Sequence, residues 1–283
     1  MSIRVACVRF LNTAPLVEGL DQVEGLTLVP TVPSRIGEMV EKDEADLGLA
    51  SIVDAVRLSR PLQVIPVGMI GCDGPTLTVR VFSSVPLDRV KRLHADTDSH
   101  TSVILARLLL ARRAGSVPEV VDFDVRERVE RGGSGQGMTT GTLDTAWPET
   151  VLLIGDKVVT DPPPAERYPH QLDLGAAWKE WTGLPFVYAA WMARDGESAA
   201  VHSAAGLLDR QRRRNAMRMD WIVEKRAPLA RWPVDLARKY LTELLKYEVG
   251  PRERAAANRF IAEAAGAGLL PGRTLSWGTH EPG

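Results

Sequence analysis

Cysteine is nearly absent from this 283-residue chain, with Cys7 and Cys72 the only two. They form no Cys-x-x-Cys pair and have no metal-ligand spacing between them, which argues against a disulfide framework or a zinc site and fits a reducing compartment. The five histidines are scattered, and His94 and His100 lack any flanking ligand pattern, so no metal is expected. A charge excess of one sign is missing too. Thirty-five Lys and Arg stand against 36 Asp and Glu, for a net charge of -1, which argues against a protein whose main work is neutralising nucleic-acid phosphates. The longest uninterrupted apolar run, Phe186 to Ala193, has eight residues, far short of the ~20 that a spanning helix needs, so no membrane insertion is expected. Arg4 and Arg9 interrupt the N-terminal stretch before a secretory apolar core can form. With the two thiols, that reads as a cytoplasmic protein.

What the chain does hold is an ordinary soluble composition, 45% hydrophobic and 25% charged. Its length exceeds the usual single-core size, so two domains or one large α/β unit are expected. Short β-rich runs at 3–10, 26–32, 47–52 and 63–69 alternate with helical patterns at 15–20, 35–44 and 54–58. That rhythm predicts a mostly parallel sheet covered on both faces, with ligands at the C-terminal ends of its strands. Residues 76–83 alternate like a strand, and 88–93 read as a short helix. From His94 the rhythm restarts. Ser99-His100-Thr101-Ser102 opens a helix over 103–113, strands follow at 119–123 and 151–154, and a Trp-rich helix after Leu174 precedes the buried strand Phe186–Ala193. From about Ser198, three amphipathic helical patterns are separated by Pro228, Pro233 and Gly250-Pro251. A chain that leaves one α/β unit, builds a second and returns predicts an α/β, two-lobed type II periplasmic-binding-protein-like fold with a central inter-lobe cleft. The expected division puts 1–87 and 190–283 in the first lobe and 88–189 in an inserted second lobe.

Asn12-Thr13-Ala14-Pro15-Leu16 follows the first strand, with Pro15 set for a first helical turn and Asn12 or Thr13 set to cap it. The plain cap stands about level with a cleft role, in which the Asn12 amide both donates to and accepts from a bound polar group. Arg9 is a permanent charge in an apolar strand, a place that calls for an ion pair more often than a ligand contact. Ser99-His100-Thr101-Ser102 offers a helix N-terminus to a carboxylate, although capping by Ser99 or Asp98 explains the pattern slightly better. Ser83-Ser84 ends the candidate hinge strand, and a cleft position and a turn before Pro86 explain it equally. Gly155-Asp156 closes an apolar strand, where an acid is either a helix cap or a cleft residue. Gly132-Gly133-Ser134-Gly135-Gln136-Gly137 lacks the Gly-Lys-Ser/Thr ending of a phosphate-binding loop and reads as a plain loop. Arg210-Gln211-Arg212-Arg213-Arg214 reads as a solvated helix face, and Trp178, Trp181 and Trp191 read as core packing around the return strand.

Five segments carry a further signal by their order: Phe10-Leu11-Asn12-Thr13-Ala14-Pro15-Leu16; Ala45-Asp46-Leu47-Gly48-Leu49; Asp98-Ser99-His100-Thr101-Ser102 with Leu105 and Leu108-Leu109; Leu152-Leu153-Ile154-Gly155-Asp156; and Asp173-Leu174-Gly175 with Trp178 and Thr182-Gly183-Leu184-Pro185-Phe186-Val187. Together they resemble the menaquinone-biosynthesis chorismate dehydratase family of the futalosine route. The resemblance implies the two-lobed fold and a lyase that converts chorismate to 3-[(1-carboxyvinyl)oxy]benzoate and water. It implies no metal or organic cofactor, and a small-molecule substrate, chorismate, as partner. On that footing Asn12 is the expected catalytic residue, holding a substrate carboxylate that takes the ring proton. Thr101, Ser102 and the helix N-terminus are expected on one carboxylate, Ser83 or Ser84 on the other or on the ring substituent, with Arg9, Thr13, Ser51 and Asp156 as further substrate contacts. The chain departs from the family pattern at Arg9-Phe10, where a small or polar residue and Tyr are common, and at Ala50-Ser51, where Pro-Ser is common. Arg9 either strengthens dianion binding or marks another substrate. Two competitors stay open. A cytosolic small-carboxylate binding protein of the same fold is disfavoured by the lack of an export signal, and the sibling 1,4-dihydroxy-6-naphthoate synthase by Leu11-Asn12-Thr13.

Overall fold

Strand Ile3–Cys7 (β1) ends on three fully buried residues, Val5, Ala6 and Cys7, and a strand apolar on both faces is satisfied only inside a covered sheet. It lies between Leu26–Pro30 (β2) and Leu47–Ser51 (β3), parallel to both. The return strand Phe186–Ala193 (β10) inserts antiparallel between β3 and Gln63–Cys72 (β4). Leu245–Lys246 (β11) and Ser276–Trp277 (β12) add to β4. In this computed structural model, which describes residues 2–96, 98–123 and 147–280, a second sheet holds Val79–Ser83 (β5), Arg92–Ala95 (β6), Glu119–Asp122 (β7), Thr150–Ile154 (β8) and His170–Asp173 (β9). Their order is β7-β6-β8-β5-β9. The glycine-rich stretch 132–141 lies outside the described residues.

The chain passes between the two sheets at 73–78 and again at 183–185. These crossings differ from the expected boundaries at 87 and 190, because β5 already hydrogen-bonds to β8 and β9 while β10 pairs along its length in the first sheet. The helix expected at 88–93 is a 3-10 turn, Leu87–Arg89, followed directly by β6. Asp173 ties the outgoing crossing to the helix that leads into the return. Its carboxylate accepts from the backbone N–H groups of Thr76 (2.9 Å), Leu77 (2.8 Å) and Ala176 (3.0 Å), so one acid caps the helix Leu174–Thr182 and clamps the outgoing strand. Gly175 sits under that clamp. A Cβ there would press on Thr76 Oγ1 and come within 2.5 Å of the Gly74 carbonyl and 2.6 Å of Cys72 Sγ. Two of those neighbours are immobile, so Gly175→Ala is expected to cost about 3 kcal/mol, the upper end for overpacking, readable as a lower urea midpoint with an unchanged slope.

Trp178 packs edge-on against Phe186 (5.4 Å) and Phe260 (5.8 Å), and Trp191 lies fully buried on the other side of the first sheet with Leu16 and Leu208. Both tryptophans therefore serve the core around β10, as their setting in the sequence suggested. The C-terminal part forms four helices, Ala199–Met217, Met219–Arg226, Val234–Lys239 and Pro251–Gly266, with a π-helical turn at Tyr240–Leu244. The run 210–214 is not a uniformly solvated face. Gln211 and Arg212 are buried, Gln211 donating to the Glu18 carbonyl (2.6 Å) and Arg212 pairing with Asp209 (2.8 Å) and Glu248 (2.8 Å). Long polar side chains with partners can be buried where unpaired ones cannot. Among the described residues no helix is long and apolar enough to cross a membrane.

Candidate active site

The turn after β1 is held by Thr13, whose hydroxyl donates to the carbonyls of Val8 (3.0 Å) and Phe10 (2.8 Å). That closes the 3-10 turn Leu11–Thr13 and leads into the short helix Ala14–Val17 (α1), with Pro15 in its first turn. Neither Asn12 nor Thr13 caps a helix with its side chain. Asn12 instead lines a cavity of about 240 Å³ between the two sheets. This is just below the ~300 Å³ at which drug-sized ligand pockets begin, room for one small molecule.

The first sheet contributes Phe10, Asn12 and Thr13 after β1, Ser51 at the end of β3, and Tyr188 on β10. From the second come Ile154, Gly155, Asp156 and Lys157 after β8, facing Ser99 and Ser102 at the start of helix His100–Ala114 (α4). Thr76 and Thr78 enter from the outgoing crossing, and Tyr240 from the π-helical turn. The Asn12 Oδ1 atom is buried and has no partner among the described residues, a costly state for an amide oxygen unless something fills the space before it.

Neutral donors dominate the walls. Tyr240 and Thr78 share a 2.6 Å hydroxyl bond, Tyr188 and Thr76 one of 2.7 Å, and burial pushes both phenols up, so they stay protonated. Asp156 occupies the N-cap position of the short helix Lys157–Thr160 but makes no cap bond. Its carboxyl accepts from the Trp232 indole N–H (3.0 Å), and the Leu11 backbone N–H also favours its charged form. Burial raises its pKa above the ordinary 3.8 in spite of these donors. Lys157 is the one cation among the described lining residues. It is ion-paired to Asp96 and lies 3.5 Å from Asp98. Burial raises Asp96 even beside that lysine. Among the described residues no group of three or more His, Cys, Asp or Glu side chains is arranged to hold a metal.

The structure thus brings Asn12, Thr13, Ser51, Ser102 and Asp156 to one cavity. Four other expected contacts lie elsewhere. Arg9 is exposed and faces a second cavity of about 270 Å³, with Glu18 and Arg226, that shares only Phe10 and Asp156 with the first. Ser83 and Ser84 sit at the far end of β5, bonded to Thr150 and to the Glu149 carbonyl. Val79, which lines the cavity, begins that strand, and four residues of strand put Ser83 roughly 13 Å away. Thr101 is fully buried, its Oγ1 without a partner among the described residues, and does not line the cavity. Ser99 makes the expected cap, accepting from Ser102 N (3.3 Å), and still lines the cavity. Tyr188, Tyr240, Thr76, Thr78 and Lys157 went unseen in the sequence. Lys157 directly follows the noted Gly155-Asp156, whereas Tyr240 carries no local signal at all.

A sequence model of a family described as menaquinone biosynthesis matches residues 3–266. Among curated proteins, the chain is 27% identical to a chorismate dehydratase of Thermus thermophilus over 277 residues, which is 93% of this chain and 95% of that one. Among solved structures it resembles a protein of Archaeoglobus fulgidus with a TM-score of 0.73 at 16% identity, covering 95% of this chain and 98% of that one. It also resembles the periplasmic aliphatic sulphonate binding protein SsuA of Escherichia coli, with a TM-score of 0.59 at 13% identity over 96% and 89% of the two chains. These likenesses show the periplasmic-binding-protein fold.

Proposed function

We infer the reaction from one premise, that the chain belongs to the menaquinone biosynthesis family. The protein is a hydro-lyase that removes water from chorismate to give 3-[(1-carboxyvinyl)oxy]benzoate. The observation that carries this reading is the Asn12 amide oxygen, without a partner among the described residues, in a cavity sized for one small molecule, in a chain with a chorismate dehydratase among its curated relatives.

The chemistry asks little of a cofactor. Loss of a ring proton and a neighbouring hydroxyl is redox-neutral, and formation of the aromatic ring supplies the driving force. What the site must do is orient a dianion, keep water out and move one proton. In our assignment the Asn12 amide N–H donates to the enolpyruvyl carboxylate of the substrate and sets it against the ring C–H, while Oδ1 accepts from the ring hydroxyl. That carboxylate takes the proton while the C–H electron pair enters the ring and the C–O bond of the hydroxyl breaks. Asp156, favoured in its neutral form by burial, gives its proton to the departing hydroxide and is restored by the proton on the substrate carboxylate. Ser102, the N-terminus of α4 and Lys157 hold the ring carboxylate. The phenols of Tyr188 and Tyr240 supply neutral hydrogen bonds that do not repel it.

Incubation of the purified protein with chorismate, followed by mass spectrometry, tests this. A product lighter by one water supports the dehydratase. Thermal stabilisation by chorismate without any product would leave a binding protein, and no effect of either kind would remove chorismate from the reading.

A further inference from the structure

Helix Asp54–Arg57 (α3) belongs to the first sheet's lobe, following β3, and α4 to the second's. They meet at the cleft margin. Nδ1 of His100, the first residue of α4, lies 2.9 Å from Asp54 Oδ1 and 3.0 Å from Arg57 Nη2, and in the tautomer that carries its proton on Nδ1 the ring donates to the carboxylate. Arg57 Nε donates to the same oxygen at 2.5 Å. Asp54 has no exposed surface, and helix Pro33–Glu41 (α2) packs on it so closely that a Cβ on Gly37 would come within 2.6 Å of its Oδ2. The acceptor is therefore a fixed point of the first lobe, and the imidazole is the part that arrives from across the cleft.

Two features make this contact reversible. Arg57 sits on the same short helix as Asp54, so the buried carboxylate keeps a cationic partner when His100 withdraws, and opening does not orphan it. His100 in turn is partly exposed, so its ring returns to water without a large penalty. Its neighbours in the same helical turn, Ser99 and Ser102, line the cavity. Asp156 of the second lobe, which also lines the cavity, accepts from Trp232 of the first, so a second inter-lobe tie borders the same space.

We propose that His100 is a positioning residue, an inter-lobe latch that through Asp54 holds the N-terminus of α4, and with it Ser99 and Ser102, over the bound substrate. The identity of that substrate rests on the dehydratase reading, while the latch itself rests on the geometry. A two-state cleft whose closed form is depopulated shows a weaker apparent affinity by the same factor, with the chemical step inside the closed form unchanged. One hydrogen bond to a charged group is worth enough to shift that balance about tenfold.

The test uses the full chain with Glu24→Cys and Ser116→Cys, exposed positions on the two lobes, carrying spin labels; the native Cys7 and Cys72 are buried. In His100→Ala the fraction of molecules at the short inter-label distance is expected to fall about tenfold. Without labels, KM for chorismate is expected to rise about tenfold with kcat within twofold. His100→Asn, which restores an N–H donor near the position of Nδ1, is expected to recover most of both. An unchanged distance distribution in His100→Ala overturns the latch, as does a fall in kcat with KM unchanged, or no recovery in His100→Asn. The distance measurement needs no substrate, so a protein that left chorismate intact would fail the dehydratase reading without deciding the latch.

Discussion

Asn12→Ala is expected to lower the turnover of chorismate by about 10²–10³-fold while binding persists, the loss typical when one oriented polar group at the reacting centre is removed. The stability of the variant separates this from a folding defect. Asn12 Oδ1 is buried without a partner among the described residues, so deleting it removes an unsatisfied acceptor, and the thermal midpoint should hold or rise. Asn12→Asp tests the same position with the shape kept. A carboxylate there would face the substrate carboxylate that the amide is assigned to hold, and like charges at that range repel. Turnover should fall at least as far as in the alanine variant, with weaker binding as well. Steady-state rates and thermal shift with chorismate measure both. Near-normal rates in the two variants would remove Asn12 from the mechanism.

Much of the scaffold was legible because it is written in periodicity. The return strand runs Phe186–Ala193 in both sequence and structure, since eight apolar residues bounded by Pro185 and a charge have no other comfortable place than a buried strand. Asn12 was legible because the end of a first strand in such a sheet faces the cleft. Ser83 was misread for a topological reason. A strand pattern does not say which of its ends meets the cleft, and β5 begins there, so its terminal serines point away. Thr101 was misplaced by one residue of helical turn: Ser99 and Ser102 share the cavity face, and Thr101, between His100 and Ser102, turns inward. Tyr240 could not be read at all, because it reaches the cavity from a π-helical turn far along the chain.

The near-zero net charge acquires a sharper meaning from the same geometry. The cavity is lined by Asp98, Asp156 and a single lysine, an unpromising set for a dianion if all three stood charged and free. Lys157 is engaged with Asp96 and Asp98, which places a locally compensated cluster at one wall. The rest of the burden falls on hydroxyls, amides and the helix end, which act strongly where water is excluded. Whether the arrangement tolerates the substrate then depends on the charge state of Asp156.

Asp156→Asn is accordingly expected to separate stability from activity. Burial raises the pKa of Asp156 above 3.8, so the folded protein binds its proton more tightly than the unfolded chain does. The stabilisation this gives is fully present below the unfolded value and is lost as pH rises through the folded one. Above that window the wild type carries a desolvated charge, and the asparagine variant, which can still accept from Trp232, does not. Its thermal midpoint should exceed that of the wild type at pH 8, and the difference should shrink as pH falls toward 4. Turnover should move the other way, dropping about 10²-fold because an amide cannot give its proton to the departing hydroxide. The pH–rate profile ties the two together: kcat of the wild type should fall as pH rises through the raised pKa of Asp156, and the residual rate of the variant should lack that limb. An asparagine variant as fast as the wild type, or a wild-type profile without the alkaline fall, would take the proton donor away from Asp156 and return it to solvent.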